Sequence, residues 1–327
     1  MALYSLTFSD LFLPADISGC WYKETAGARD GRSVPDDCRE EVAALRALLV
    51  RQGAVGGSKV DWEWKGEAPS LRLRIQQLDT VADGPVFVCA RPLVNAATLA
   101  ELGFPQSIAA RLLSEEVQDG LVLFMGQTRA GKSTACAAYA VERVTRHGGV
   151  CWTAEAPVEL PIHGPHGRGQ VYQCEVGSEA EFGASIRKFL RASTDFMLIG
   201  EVLDDDAAAA AVRASATGHL VTTTFHAASL TGGLERFAGM CGSAANFASA
   251  LRAAFHLQLR TVGENPAAQL SSIVPGKAAP PKRVLSVTPL IVPGENAEAI
   301  RSHIRAGQFH QLASEVDRQR RTFMGAG

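Results

Sequence analysis

The stretch that most limits what this chain can become is Leu-Val-Leu-Phe-Met-Gly-Gln-Thr-Arg-Ala-Gly-Lys-Ser-Thr, residues 121 to 134. Leu121 to Met125 are apolar without a break, the pattern of a strand buried on both faces. Gly126 opens a loop that closes on Gly131-Lys132-Ser133, matching G-x-x-x-x-G-K-[ST] in full. Good helix formers follow, Ala135-Cys136-Ala137-Ala138-Tyr139-Ala140. Strand, glycine loop and helix in that order give the motif its meaning. The loop turns its backbone N–H groups inward on phosphate oxygens, which needs glycine at both ends. The helix N-terminus adds partial positive charge beneath the anion. Gly126, Gln127, Thr128, Arg129, Ala130, Gly131, Lys132, Ser133 and Thr134 are therefore the expected contacts of a nucleoside triphosphate with Mg²⁺. Lys132 reaches for the β- and γ-phosphates, and Ser133 offers its hydroxyl to the metal.

The rest of the composition is compatible with a soluble two-domain protein of 327 residues. A formal net charge of −2 gives no global footprint for nucleic acid, and no nucleic-acid partner is expected. No apolar run approaches the length of a membrane span, and the first ten residues lack the basic start and apolar core of a signal peptide. A cytoplasmic location is the expectation. Seven scattered cysteines never form C-x-x-C, which disfavours a disulfide framework or a four-cysteine zinc site.

Residues 1–97 read as a small α+β domain. β-formers surround Phe8 and Phe12, and a glycine-bearing loop runs from Gly27 to Pro35. Asp36-Asp37 are placed to cap a helix from Cys38 to about Arg51, which Gly53 to Ser58 breaks. Alternating strands follow at Lys59–Lys65 and Leu71–Leu78, joined by a hairpin at Gly66-Glu67-Ala68-Pro69, with a further strand at Pro85–Ala90. Residues 98–119 read as an interdomain linker of short helices broken near Gly103-Phe104-Pro105. From Gly120 strands and helices alternate, the signature of a parallel sheet. This core runs over residues 120–240, with strands at Val150–Thr153, Phe196–Gly200 and Leu220–Phe225. The remainder, 241–327, reads as a mainly helical extension with one strand at Arg283–Val287.

Phe196 to Glu201 is a hydrophobic strand ending in an acid. Strand C-termini surround the ligand in a parallel sheet, so Glu201 is expected beside the γ-phosphate, supporting Mg²⁺ through water or orienting the attacking water.

Four boxes in order resemble those of the secretion-superfamily ATPases, within them the pilus-retraction (PilT-type) group. They are the phosphate loop, the acidic box Thr153-Ala154-Glu155-Ala156-Pro157-Val158-Glu159, the box Leu198-Ile199-Gly200-Glu201, and the histidine box Thr217-Gly218-His219-Leu220-Val221 with Phe225-His226. The likeness covers roughly residues 70 to 320. It implies a PAS-like N-terminal domain and a RecA-like ATPase domain with a helical extension. It also implies ATP hydrolysis by a homohexamer working on an inner-membrane platform protein from the inner face of a bacterial inner membrane. By the same resemblance Glu159 polarises the attacking water, Glu155 assists, and His219 senses the γ-phosphate, with His226 the lesser candidate. Arg191 and Arg236, with Arg187 and Arg72, match family arginines able to act on a neighbouring subunit's site; Arg74 and Arg91 are further arginine candidates for that role. Ala299 to Gly307 resembles a C-terminal helix of the retraction ATPases. Ala156 and Leu203 depart from the family pattern, where aspartate and arginine stand. Type II or type IV secretion and conjugation ATPases, or a low-turnover nucleotide-binding scaffold, are the alternatives. His163 and His166, in the loop Pro161–Gly169, are read as loop residues.

Overall fold

The computed structural model describes residues 3–24, 30–53, 58–64, 67–81, 84–91, 97–262 and 282–324. The chain divides into two units, Met1–Val94 and Asn95–Gly327.

The first unit holds β1 (Asp10–Leu13), β2 (Trp21–Lys23), β3 (Arg32–Ser33), α1 (Arg39–Gln52), β4 (Ser58–Trp64), β5 (Glu67–Thr80) and β6 (Gly84–Ala90). They form one antiparallel sheet in the order β3-β2-β1-β6-β5-β4. Period-2 patterning decides which residues enter the core: Val60 and Trp62 are buried while Asp61 and Glu63 face solvent. Val42, Leu45 and Leu49 of α1 are fully covered, supplying the apolar helix face. This is the α+β, PAS-like unit that the resemblance implies. Asp36 and Asp37 do not cap α1; they lie in a 3₁₀ turn, Asp36–Cys38, that leads into it. Gly66 of the expected hairpin, residues 54–57 of the expected break and residues 27–29 of the loop from Gly27 fall outside the described residues, as do 92–96 at the domain junction; Glu67, Ala68 and Pro69, expected in the hairpin, open β5 instead.

The second unit contains α2 (Gln106–Leu112), β7 (Gly120–Gly126), α3 (Lys132–His147), β8 (Gly149–Glu155), β9 (Gly164–His166), β10 (Gly169–Glu175), α4 (Phe182–Phe189), β11 (Phe196–Ile199), α5 (Asp205–Ala216), β12 (Leu220–His226), α6 (Leu230–Met240), α7 (Ala244–Ala250), β13 (Leu251–Val262), β14 (Lys282–Ile291), α8 (Ala297–Arg305) and α9 (Leu312–Met324). One sheet runs β14-β13-β7-β12-β11-β8-β10-β9. The six strands from β13 to β10 are mutually parallel, and antiparallel β14 and β9 close the edges. Every residue of β7 is buried, as its apolar run requires. Helices on both faces make two cores, one around Met125, Phe225 and Phe237, the other around Phe124, Tyr139 and Phe255. The class is α/β and the unit RecA-like.

Three expectations are corrected here. Only α2 forms in the 98–119 stretch, residues 98–104 being turns. The extension after 241 is less helical than its pattern suggests, because Leu251–Val262 is a strand paired with both β7 and β14. The Pro161–Gly169 segment contains β9, which includes His166. No described helix is long and apolar enough to cross a membrane.

Candidate active site

Strands β7, β8, β11 and β12 all end on one edge of the sheet, and that shared direction gathers the chemistry. β7 delivers the phosphate loop. A Cβ on Gly126 would come within 2.5 Å of the Leu257 carbonyl oxygen, so only glycine lets β13 pass this close. Gly131 has φ +89° and hands the chain into α3. Gln127, Thr128 and Arg129 are exposed, Ala130 is buried beneath them, and Ser133 and Thr134 are half-buried in the first turn of α3. Arg129 adopts φ +64°, a left-handed conformation rare for a residue with a side chain.

Lys132 is only 7% exposed. Its Nζ donates to the Gln127 carbonyl at 3.1 Å and lies 3.4 Å from His226 Nδ1. Burial pulls its ammonium below the usual lysine range, while the charges of Glu201 and Glu159 partly restore it. A lysine ammonium can only donate, so His226 Nδ1 must accept. The ring proton then sits on Nε2, which faces Glu201 Oε1 at 3.1 Å. Lys132, His226 and Glu201, from α3, β12 and the end of β11, thus lie in one line across the strand ends, the first two joined by a hydrogen bond and the last two within ion-pairing distance. Arg236 of α6 lies next to it, stacked 4.3 Å over the Phe225 ring and donating to the His226 carbonyl.

Glu155 ends β8 nearby and is 9% exposed. Burial pushes its carboxyl above the usual carboxylate range. Hydrogen bonds from the Thr153 hydroxyl (2.6 Å) and Gln173 Nε2 (2.8 Å) partly offset this. Gln173 also donates to the Leu160 carbonyl and accepts from the Ile162 N–H, so it ties down the loop that carries Glu159. Glu159 itself is exposed. Gln173 lies on β10, a strand that sequence patterning does not reveal; it is in register with Thr153 of β8.

The two histidines of the histidine box stand at opposite ends of β12. His219 precedes β12, its carbonyl accepting from Gly120 N at the start of β7, whereas His226 pairs with Gly126 at the end. A seven-residue strand at about 3.3 Å per residue leaves the two histidines roughly 20 Å apart. Within this chain His219 therefore lies away from the phosphate loop, and His226 lies beside it. Arg191, exposed in the turn before β11, also lies at that far edge. Arg187 pairs with Asp206 (3.1 Å), Arg72 with Asp61 (2.7 Å), and Arg91 donates to the Leu6 carbonyl. Arg74 is half-buried on β5 of the first unit. His163 Nδ1 accepts from Gln173 N and His166 Nε2 bonds with the Ile162 carbonyl.

No cluster of three or more metal-ligating side chains occurs among the described residues. Mg²⁺ takes few protein ligands and completes its shell with water and phosphate oxygens. The oxygen donors present, the Ser133 hydroxyl and the Glu201 carboxylate, are of the hard type it requires.

Residues 63–270 match the family described as Type II/IV secretion system protein. Competence protein ComGA of Bacillus subtilis is 30% identical over 173 residues, 51% of this chain and 46% of that protein. The type II secretion system protein E of Pectobacterium carotovorum is 36% identical over 123 residues, 37% of this chain and 23% of that protein. The chain thus spans less than half the length of these relatives. Among solved structures, the Legionella pneumophila ATPase DotB superposes with a TM-score of 0.71 at 18% identity, over 98% of this chain and 89% of that one. The pilus retraction motor PilT with bound ADP gives 0.68 at 22% identity, over 96% and 87%. At these identities the superpositions establish the fold.

Proposed function

The chain belongs to the Type II/IV secretion system protein family, and from that premise we propose that it is a motor that hydrolyses Mg-ATP. The observation that carries the reading is the line Lys132–His226–Glu201 at the mouth of a complete phosphate loop. Lys132 and the loop N–H groups bind the β- and γ-phosphates, and the α3 N-terminus favours the same anion. Ser133 and Glu201 would hold Mg²⁺, which when bound neutralises charge on the phosphate oxygens. Glu201 and the exposed Glu159 orient and polarise the attacking water, help of a kind typically worth about two to four powers of ten in rate. Glu155, buried and inclined to hold a proton, positions this acidic box through Gln173. His226, bonded to Lys132 and within 3.1 Å of Glu201, takes the part of γ-phosphate sensor in place of His219.

The motor works as a homohexamer under a platform protein at the cytoplasmic face of a bacterial inner membrane, with no nucleic-acid partner. In such a ring Arg191, at the sheet edge away from the chain's own phosphate loop, is available to serve a neighbouring site, while Arg236 serves its own. The resemblance of Ala299–Gly307 to the retraction ATPases favours pilus retraction, and a related secretion or competence role is the alternative that the type II secretion system protein E and ComGA support. Hydrolysis by the purified chain tests the core of the proposal. Lys132→Ala should abolish turnover; Glu201→Gln should keep nucleotide binding and stop turnover. A Glu201→Gln protein working at the parental rate would remove Glu201 from the reaction.

A further inference from the structure

At the sheet edge opposite the phosphate loop lies a cavity of about 860 Å³, bounded by the starts of β8, β11 and β12 and by the last turn of α3. Five of its side chains are basic: Arg143, Arg146, His147, Arg168 and His219. The proposed reaction uses none of these five. We propose that this cavity is a second anion site, taking a compact ligand that carries two or more phosphate groups.

Arg143 is the strongest sign that the site is built for charge. It is 7% exposed, yet its guanidinium makes one hydrogen bond, from Nη1 to the Ser114 carbonyl at 3.2 Å. Among the described residues no carboxylate lies within ion-pairing distance of it. Burial costs this charge, which the Glu115 carboxylate offsets only from beyond ion-pairing distance, and a phosphate in the cavity would supply a paired counterion. Arg146 and Arg168 are exposed, and neither makes a side-chain hydrogen bond or ion pair among the described residues. Guanidinium forks suit phosphate, which they grip with two parallel N–H···O bonds.

The acids that share the cavity are already engaged. Glu115 Oε1 lies 3.2 Å from His147 Nδ1, and Asp195 Oδ2 accepts from Val150 N at 2.8 Å. His147 Nε2 is bonded to the Leu113 carbonyl, and His219 Nδ1 lies 3.3 Å from the Thr217 hydroxyl. Cations in the last turn of a helix complement its dipole, which accounts for Arg146 and His147. It does not account for Arg168, which comes from the turn between β9 and β10, nor for the burial of Arg143. Phe196, the one phenylalanine, tyrosine or tryptophan in the lining, is 3% exposed and gives a nucleobase no face to stack on. The basic side chains of the lining favour a phosphate-dense ligand. This site stands independently of ATP hydrolysis, although α3 carries the phosphate loop at one end and the cavity at the other.

The test uses the full chain carrying Lys132→Ala, so that binding at the phosphate loop is suppressed, with inorganic pyrophosphate as probe in isothermal titration at fixed ionic strength. Pyrophosphate should bind, and Arg146→Gln with Arg168→Gln should weaken it by at least about tenfold. Sulfate should compete poorly. Loss of all binding with Lys132→Ala alone would place the anion at the phosphate loop and overturn the proposal. So would unchanged affinity in the double arginine variant, or sulfate competing as well as pyrophosphate. Both arginines are exposed, and a thermal melt checks the fold; should the pair melt early, Arg168→Gln alone decides between the same outcomes.

Discussion

Arg129 offers the sharpest quantitative test of how the phosphate loop is built. Its φ of +64° belongs to glycine's territory, and a side-chain-bearing residue held there costs about 1–3 kcal/mol. Replacing it with glycine releases that strain but loosens the unfolded chain, at about 0.4–1 kcal/mol. The Arg129 side chain is exposed and makes no hydrogen bond or ion pair among the described residues, so the free protein loses no contact. Removing it also relieves repulsion with Lys132, three residues on. The balance is a gain of about 0–2 kcal/mol, and each kcal/mol raises the melting temperature of a unit this size by about 2–4 °C. Nucleotide binding should move the other way. Taken at about 6 Å in water-like surroundings, one unit charge pair is worth about 0.7 kcal/mol. A Mg-triphosphate with two net charges would then lose about 1.4 kcal/mol, or roughly tenfold in affinity before salt screening. Arg129→Gly should therefore melt a few degrees higher without nucleotide and bind a fluorescent ATP analogue several-fold more weakly. A lower melting temperature without nucleotide would mean that Arg129 makes stabilising contacts; unchanged affinity would mean that its charge points away from the phosphates.

Glu155→Gln should stabilise the protein increasingly as pH rises. Burial raises the carboxyl's folded value, so the folded state holds the proton more tightly than the unfolded chain. Stability is then full at low pH and lost as pH climbs through the raised value, and the variant's advantage in melting temperature should widen from about pH 4 to pH 7. His226→Ala should cut turnover sharply while His219→Ala leaves the chemical step intact, as single-turnover hydrolysis will show; the reverse ranking would overturn the placement of the two histidines. On α8, Ile300 is 2% exposed and Ile304 fully buried, so Ile300→Ala should cost about 2–5 kcal/mol by chemical denaturation. Arg305, exposed and paired with Glu298, should cost no more than about 1 kcal/mol when changed to alanine. If α8 couples hydrolysis to movement, Arg305→Ala should keep ATPase activity yet stop pilus withdrawal in cells.

How far the sequence reaches depends on whether a signal is contiguous or has to be assembled. The phosphate loop is legible because strand, glycines and helix adjoin, each with its own physical cause. Glu201 is legible by a rule: in a parallel sheet the ligand sits where strands end, and Glu201 follows the end of β11. The same rule, applied to Leu220–Phe225, points to the residue after the strand, His226, and away from the one before it. Box position favours His219, but it carries no direction along the strand. β13 escapes the sequence for a different reason. Residues 253 to 257 are buried on both faces, so Ala253-Ala254-Phe255-His256-Leu257 shows no period-2 alternation, and its alanines suggest helix. β10 escapes it because Gly169–Glu175 is polar and mostly half-exposed, with only Val171 fully covered. Its Gln173 holds Glu155 and the Glu159 loop through bonds that no local spacing encodes. Contacts of this kind arise only when the sheet order is known, since β10 meets β8 across a register that the sequence separates by about twenty residues. Box recognition can name the acids of this site; the neighbour that fixes one of them has to come from the fold.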